Sequence, residues 1–242
     1  MLTISLRFAA DLAALLGPAD ARRAGAVRRV LPAATSVKDA IEALGVPHCE
    51  IGAVVAADGS TRALDDPVAD GDRLSVAGIG RADPGRARFL CDRHLAALAR
   101  LLRTLGFDTA WDPAWGPAEL ARRGLNEDRI LLSGSRALLK RRLLGAAMLI
   151  RDDDPDAQVA AVIRRFGLAG RARPFARCPL CNGEVRPVPK ADVAARIPPR
   201  TALWLDEYFL CTGCGQLYWE GTHVAALRER LAGILAAAGH GQ

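Results

Sequence analysis

The chain has 242 residues, 50% of them hydrophobic and 25% charged, with a formal net charge of +6 that arginine supplies far more than lysine. Such a balance excludes intrinsic disorder, and the length allows one large domain or two small ones around a real core. Arginine's planar fork suits phosphate and base recognition, so nucleic acid is a natural partner, although a basic excess can also serve solubility alone.

No apolar run reaches the length of a transmembrane helix; even 137–150 is broken by Lys140, Arg141 and Arg142. The opening MLTISLRFAADLAALLG lacks a basic leader, an apolar block and a small-residue cleavage site, so it is not expected to be a signal peptide. A cytoplasmic location without membrane association is the expectation. In that setting six cysteines point to thiols or metal ligands rather than to a disulfide framework.

In chain order, TISLRF alternates as a strand over residues 3–8, and Val27–Leu31 gives a second strand. A helix follows in SVKDAIEALGV, capped by Thr35 or Ser36, and strands are expected over 52–56 and 73–77. This is the order of a small β-grasp. LGVPHCEIGAVVAADG and VADGDRLSV resemble the ubiquitin-like sulfur-carrier proteins over residues 1–80. Carriers of that family end in a free Gly-Gly tail, whereas here the corresponding VAGIGRADPG is embedded in the chain without adjacent glycines. A docking or recognition role with a protein partner of unknown identity is therefore expected of this domain.

Residues 78–86, rich in Gly, Pro and Arg, read as a linker. Beyond it, strands over 87–91, 107–111, 129–133 and 147–151 alternate with helices over 93–105, 116–123, 135–143 and 155–166. Repeated βα units call for a parallel sheet with helices on its faces, and ligands gather at the C-terminal ends of such strands. Asp92, Trp111-Asp112, Ser133-Gly134-Ser135 and Arg151-Asp152-Asp153-Asp154 stand at those ends. Carboxylates converging there would hold Mg²⁺ or Mn²⁺, but acids at strand ends are more often caps and loop residues. For Asp92 both readings stay open, N-cap of the next helix or functional acid. On that helix Arg93, Arg100 and Arg103 gather away from the apolar stripe of Leu95, Leu98, Leu102 and Leu105.

Cys178-Pro-Leu-Cys181 and Cys211-Thr-Gly-Cys214 form two CxxC pairs with 29 residues between them. Their spacing and flanking turn residues match a closed, structural Cys₄ zinc site. Trp204, Tyr208 and Phe209 precede the second pair, either to stack bases or to build the core of a small metal module. A closing helix is expected over 224–238.

FLCDRHLAALARLLRTLGFDT, RILLSGSRALLKRR, CPLCNGEV and CTGCGQLYWEGTH together resemble the mutator-seven-type C-terminal RNase domain, a PIN-like fold with an appended zinc ribbon. The resemblance implies an α/β architecture: a β-grasp over 1–80, a PIN-like RNase domain over 87–170, and a zinc ribbon with closing helix over 171–242. It further implies hydrolysis of RNA by an acid cluster around Mg²⁺ or Mn²⁺, with structural Zn²⁺ on Cys178, Cys181, Cys211 and Cys214. Asp92 matches the first acid; Glu119 is the carboxylate nearest the second, where Pro117 and Ala118 stand; Asp153, with Asp152 and Asp154, is a replacement for the third. The family pattern Thr-Arg-Asp reads Ser133-Gly134-Ser135 here, so the acid expected at Ser135 is missing. A serine is a neutral, weaker ligand, and metal affinity and catalysis should both fall. Arg93, Arg100, Arg103 and Arg136 are the expected RNA contacts. The alternative is a non-catalytic RNA-binding or adaptor protein on the same scaffold.

Overall fold

A computed structural model describes residues 1–17, 20, 26–32, 35–82, 85, 87–141 and 145–239. Parts of the expected linker and of the helix expected over 135–143 lie outside these residues. The chain divides into two compact units, Met1–Ala82 with Ser133–Leu149, and Asp83–Leu132 with Ile150–Gln242.

In the first unit, strands β1 (Leu2–Phe8), β2 (Val27–Leu31), β3 (Ile51–Ala56) and β4 (Arg73–Gly78) form a sheet of order β2-β1-β4-β3. β1 pairs antiparallel with β2 and parallel with β4, the arrangement expected of a β-grasp. Alternation in β1 sends Ile4 and Leu6 inward, where they meet Leu74 and Val76 of β4. Helix α1 (Val37–Glu42) covers that face with Val37, Ala40 and Ile41, and Ser36 caps it by accepting the Asp39 N–H at 3.1 Å.

Residues 133–149 join this unit through specific bonds. Short helix α2 (Arg136–Leu139) is capped by Ser135, whose hydroxyl accepts the Leu138 N–H at 3.3 Å. The Arg136 guanidinium donates to the Leu15 carbonyl at 2.8 Å, and the Lys140 ammonium donates to the carbonyl of Glu42. Glu50, only 3% exposed, accepts the Leu149 N–H at 2.7 Å.

In the second unit, β5 (Arg88–Cys91) lies parallel to both β6 (Asp108–Ala110) and β7 (Ile130–Ser133). Within this unit the strand order is β6-β5-β7, and β8 (Ala147–Leu149) belongs to the first unit. Because β5 is covered on both faces, Phe89, Leu90 and Cys91 are all buried, a near-continuous apolar run rather than an alternating one. Helix α3 (Ala96–Thr104) buries Leu98, Ala99, Leu101 and Leu102, and α4 (Pro117–Asn126) starts with Pro117 at its first turn. In α5 (Pro155–Arg165) Asp154 is the cap, accepting the Ala157 N–H at 3.0 Å.

The remaining chain forms a small antiparallel sheet, β11-β10-β9, from β9 (Val185–Val188), β10 (Tyr208–Cys211) and β11 (Leu217–Trp219). Its core is Val193, Ile197, Tyr208 and Leu217, with Trp219 packed against it. Tyr208 is thus a core residue, Phe209 is half-buried, and Trp204 is exposed. Helix α6 (Thr222–Gly239) closes the unit against α5, burying Leu231, Ile234 and Ala238; Arg230 holds Asp156 with two donors, one at 2.7 Å. Among the described residues no helix is long and apolar enough to cross a membrane.

Candidate active site and metal centre

Asp92 directly follows β5 at the C-terminal end of the strand and is 4% exposed. Its Oδ1 accepts the His94 N–H at 2.9 Å, and its carbonyl accepts the Leu95 N–H at 3.1 Å. These bonds close a tight turn, and α3 begins only at Ala96 with Leu95 in the cap position. Asp92 is therefore not the cap of that helix. What the fold does with it is place a carboxylate at the C-terminal end of a strand inside a parallel sheet, where the backbone changes direction.

At the end of β7, Ser133 is fully buried and its hydroxyl accepts the Ser135 N–H at 2.9 Å, while Ser135 is spent on capping α2. Serine at 135 is thus locally a good sequence choice, since Ser and Asp cap helices about equally well.

Glu119 lies in the first turn of α4, but both of its oxygens are engaged on its own helix. Oε1 takes Arg122 at 2.6 Å and Arg123 at 2.7 Å, and Oε2 takes Arg122 at 2.8 Å. Hydrogen bonds from Arg122, outweighing desolvation, hold its carboxyl down to about 2. The pairs continue through Arg123 and Glu127 to Arg129 and Asp108. Asp152, Asp153 and Asp154 are all exposed; Asp154 caps α5, and the Asp152 carbonyl accepts the Gln158 amide at 2.8 Å. Among the described residues the cysteine quartet is the sole group of three or more His, Cys, Asp or Glu placed to hold a metal ion. A cage of carboxylate oxygens fit for Mg²⁺ or Mn²⁺ is not assembled from Asp92, Glu119 and Asp153.

The arginines divide into two kinds. Arg93 and Arg100 are exposed, as a phosphate contact requires. Arg103 is 3% exposed and turned inward, its Nε donating to the Thr109 carbonyl at 2.8 Å and one terminal nitrogen to the carbonyls of Pro179 (3.1 Å) and Leu180 (2.8 Å). With its donors so committed, Arg103 is not available to RNA. Arg136 has an exposed side chain but lends a donor to Leu15.

The four cysteine sulfurs lie within 4.8 Å of one another, with Cys178 and Cys211 buried and Cys181 and Cys214 exposed. Sγ of Cys181 is 3.3 Å from that of Cys211, and Sγ of Cys178 is 3.7 Å from that of Cys214. Backbone N–H groups aim at the sulfurs: Gly183 at Cys181 (3.4 Å), Gly213 and Cys214 at Cys211 (3.3 and 3.5 Å). Gly183 is required here, because a Cβ would stand 2.9 Å from the Cys211 sulfur. Burial raises the Cys211 thiol, but the N–H groups of Cys214 and Gly213 outweigh it and bring it down to about 7. Cys181 is pushed up to about 12 by burial and by its neighbouring sulfurs. Four soft donors converging this way, with N–H groups ready to stabilise thiolates, fit a tetrahedral Zn²⁺ and no hard cation.

Two groups beside the quartet carried no signal in the CxxC spacing. The Tyr218 hydroxyl lies 3.0 Å from the Cys178 sulfur, and burial followed by that thiol raises the phenol's pKa well above its ordinary value. Asn182, in the left-handed region at φ 71°, donates to Asp108 at 2.7 Å and accepts the Thr109 N–H at 3.0 Å. Polar residues just after a CxxC are common turn formers, so nothing in the sequence marked Asn182 as a bracket to β6.

Compared with known proteins, residues 87–231 match the Mut7-C RNAse domain family and residues 1–82 match the Mut7-C ubiquitin family. No curated protein and no solved structure matches the chain.

Proposed function

The chain belongs to the Mut7-C RNAse domain family, and on that premise we propose that it acts on RNA, as a ribonuclease with Asp92 as the acid at its centre. The observation that carries this reading is the burial of Asp92 at the C-terminal end of β5. The C-terminal edge of a parallel strand is where α/β sheets do their chemistry, and the His94 N–H holds the Asp92 carboxylate there. Arg93 and Arg100, exposed just beyond it, offer phosphate contacts.

A divalent ion would supply charge neutralisation at the scissile phosphate, but the acids present do not make a full cage for it. Asp92 provides one ligand where hard dications want several oxygens. Weak hydrolysis is the expectation. The engagement of Glu119 by Arg122 and Arg123 favours a second reading, an RNA-binding member without turnover. In support of a structural zinc on Cys178, Cys181, Cys211 and Cys214 stand the convergence and chemistry of the sulfurs.

The test is incubation of single-stranded RNA with the full chain and Mn²⁺, beside Asp92→Asn. Cleavage by the parent alone supports the ribonuclease; binding by both proteins with cleavage by neither supports the second reading. Equal cleavage by both sinks the assignment of Asp92.

A further inference from the structure

The outward face of the first unit's sheet carries a feature that neither the acid site nor the zinc ribbon uses. In β1, Ile4 and Leu6 point to the core, so Thr3, Ser5 and Arg7 point away. Ser5 stands opposite Arg28 of β2 on one side and Arg73 of β4 on the other, which puts two exposed arginines in one row across three strands. Two residues further along β1, Arg7 stands opposite Ser75. The arginines are thus spaced by roughly two strand separations (~10 Å) across the sheet, with the third about 7 Å along it. They border an open groove of about 790 Å³ floored by Thr3, Ser5 and Ser75.

Positive charge is in excess on this face, three arginines against Asp70 and Asp72. Among the described residues no acid forms an ion pair with Arg7, Arg28 or Arg73. Two carboxylates reach the groove's rim, but both are committed: Asp70 accepts the Thr3 N–H at 2.7 Å, and one oxygen of Asp72 accepts the Ala69 N–H at 2.8 Å and Arg62 at 3.2 Å. Large apolar side chains are few, Val30 at 60% exposed and the half-buried Val55 opposite Ser75. A stable protein partner would want an apolar, aromatic centre to its footprint. Arginines interleaved with hydroxyls and not engaged in ion pairs among the described residues suit phosphate oxygens instead.

We propose that this sheet face is an RNA-binding surface that grips the phosphate backbone through Arg7, Arg28 and Arg73, giving the β-grasp unit a substrate-holding role. The inference rests on RNA being the chain's ligand. It assigns the face affinity without base specificity, because charge and hydroxyl donors read phosphates and not base edges.

The experiment uses the full chain carrying Asp92→Asn, so that RNA survives the measurement, and fluorescence anisotropy with a labelled single-stranded RNA across a salt series. Adding Arg7→Gln, Arg28→Gln and Arg73→Gln together should weaken binding about tenfold or more at low salt and lower the salt slope by about 2, three contacts at ~0.7 each on a single strand. The corresponding triple lysine variant keeps the charge and should retain most of the affinity. All three positions are exposed, and matching thermal melts establish that the fold is intact. If the parent binds RNA and the triple glutamine variant binds with the same affinity and slope, this inference fails while the RNA reading stands. A parent that binds no RNA overturns both. Polyglutamate competing as well as RNA would overturn it in favour of an acidic protein partner.

Discussion

Asn182 donates its side-chain amide to Asp108 across 2.7 Å, tying the turn of the first cysteine pair to the start of β6. The same carboxylate takes Arg129 at 2.8 Å and Arg88 at 3.3 Å, so one acid holds together the ribbon and two arginines flanking the parallel sheet. Burial raises its pKa, but hydrogen bonds from Arg129 and Asn182 outweigh that and hold it down to about 2.

A pH dependence follows from Asp108. A carboxylate whose folded pKa is depressed contributes stability that is complete above its unfolded pKa near 4 and is lost as the pH falls through about 2. The contribution is on the order of 2 kcal/mol at neutral pH. Urea unfolding between about pH 2 and pH 6 should therefore show a steeper loss in the parent than in Asp108→Asn, the variant being weaker at neutral pH and keeping only the slope that the other lowered carboxylates, Glu119 and Glu127, supply. Parallel curves for the two proteins would remove Asp108 from this role.

Arg103 gives a prediction that separates structure from RNA contact. It satisfies three carbonyls, that of buried Thr109 and those of Pro179 and Leu180 in the first cysteine turn. A lysine cannot span them with the same planar fork. Arg103→Lys should cost about 2 kcal/mol or more through carbonyls left without donors, read as a lower melting temperature. RNA affinity, measured where the variant is still folded, should be unchanged. A selective loss of RNA binding at unaltered stability would reverse the assignment.

The alternation of strands and helices from residue 87 to 166 was legible because period-two and period-3.6 patterns are set by which faces are buried. The CxxC pairs were legible because metal ligation fixes spacing. Arg103 was not, since on a helix wheel it shares the basic face of Arg100, and only the ribbon folding over that face turns it into a buried clamp. Glu119 likewise is the carboxylate nearest the position where the resemblance implies an acid, but its oxygens go to arginines three and four residues on. Spacing reveals that such pairs are possible and leaves open whether a ligand competes for them. The bonds of Arg136 and Lys140 to the first unit had no local signature either, because they join residues 121 and 98 apart in sequence.

Zinc content and the melting of the ribbon should be linked. Protein purified without chelators should contain about one zinc per chain, as four thiolate ligands imply. Chelation should unfold the ribbon, because its buried core is as small as Val193, Ile197, Tyr208 and Leu217. Since Arg103 and Asn182 bind the first cysteine turn to the sheet, removal of metal should also lower the melting temperature of the whole unit, and Cys211→Ser should do the same. Metal-free protein with an unaltered melt would show that the quartet is not a zinc site.

Ser135 offers the sharpest test of the acid site's history. The resemblance implies an acid there, and the residue's local duty is to accept the Leu138 N–H as cap of α2. Aspartate performs that duty as well as serine, so Ser135→Asp should leave stability within about 0.5 kcal/mol of the parent. It also adds a negative charge and an oxygen donor of the type hard dications prefer. The expected outcome is cleavage of single-stranded RNA that rises with Mn²⁺ above the parent's level and vanishes when Asp92→Asn is added. A companion Glu119→Gln should change neither activity nor metal response, because Glu119 is already satisfied by Arg122 and Arg123. If Ser135→Asp folds normally and gains no Mn²⁺-dependent activity, the missing acid is not what limits this chain, and RNA binding without turnover becomes its function.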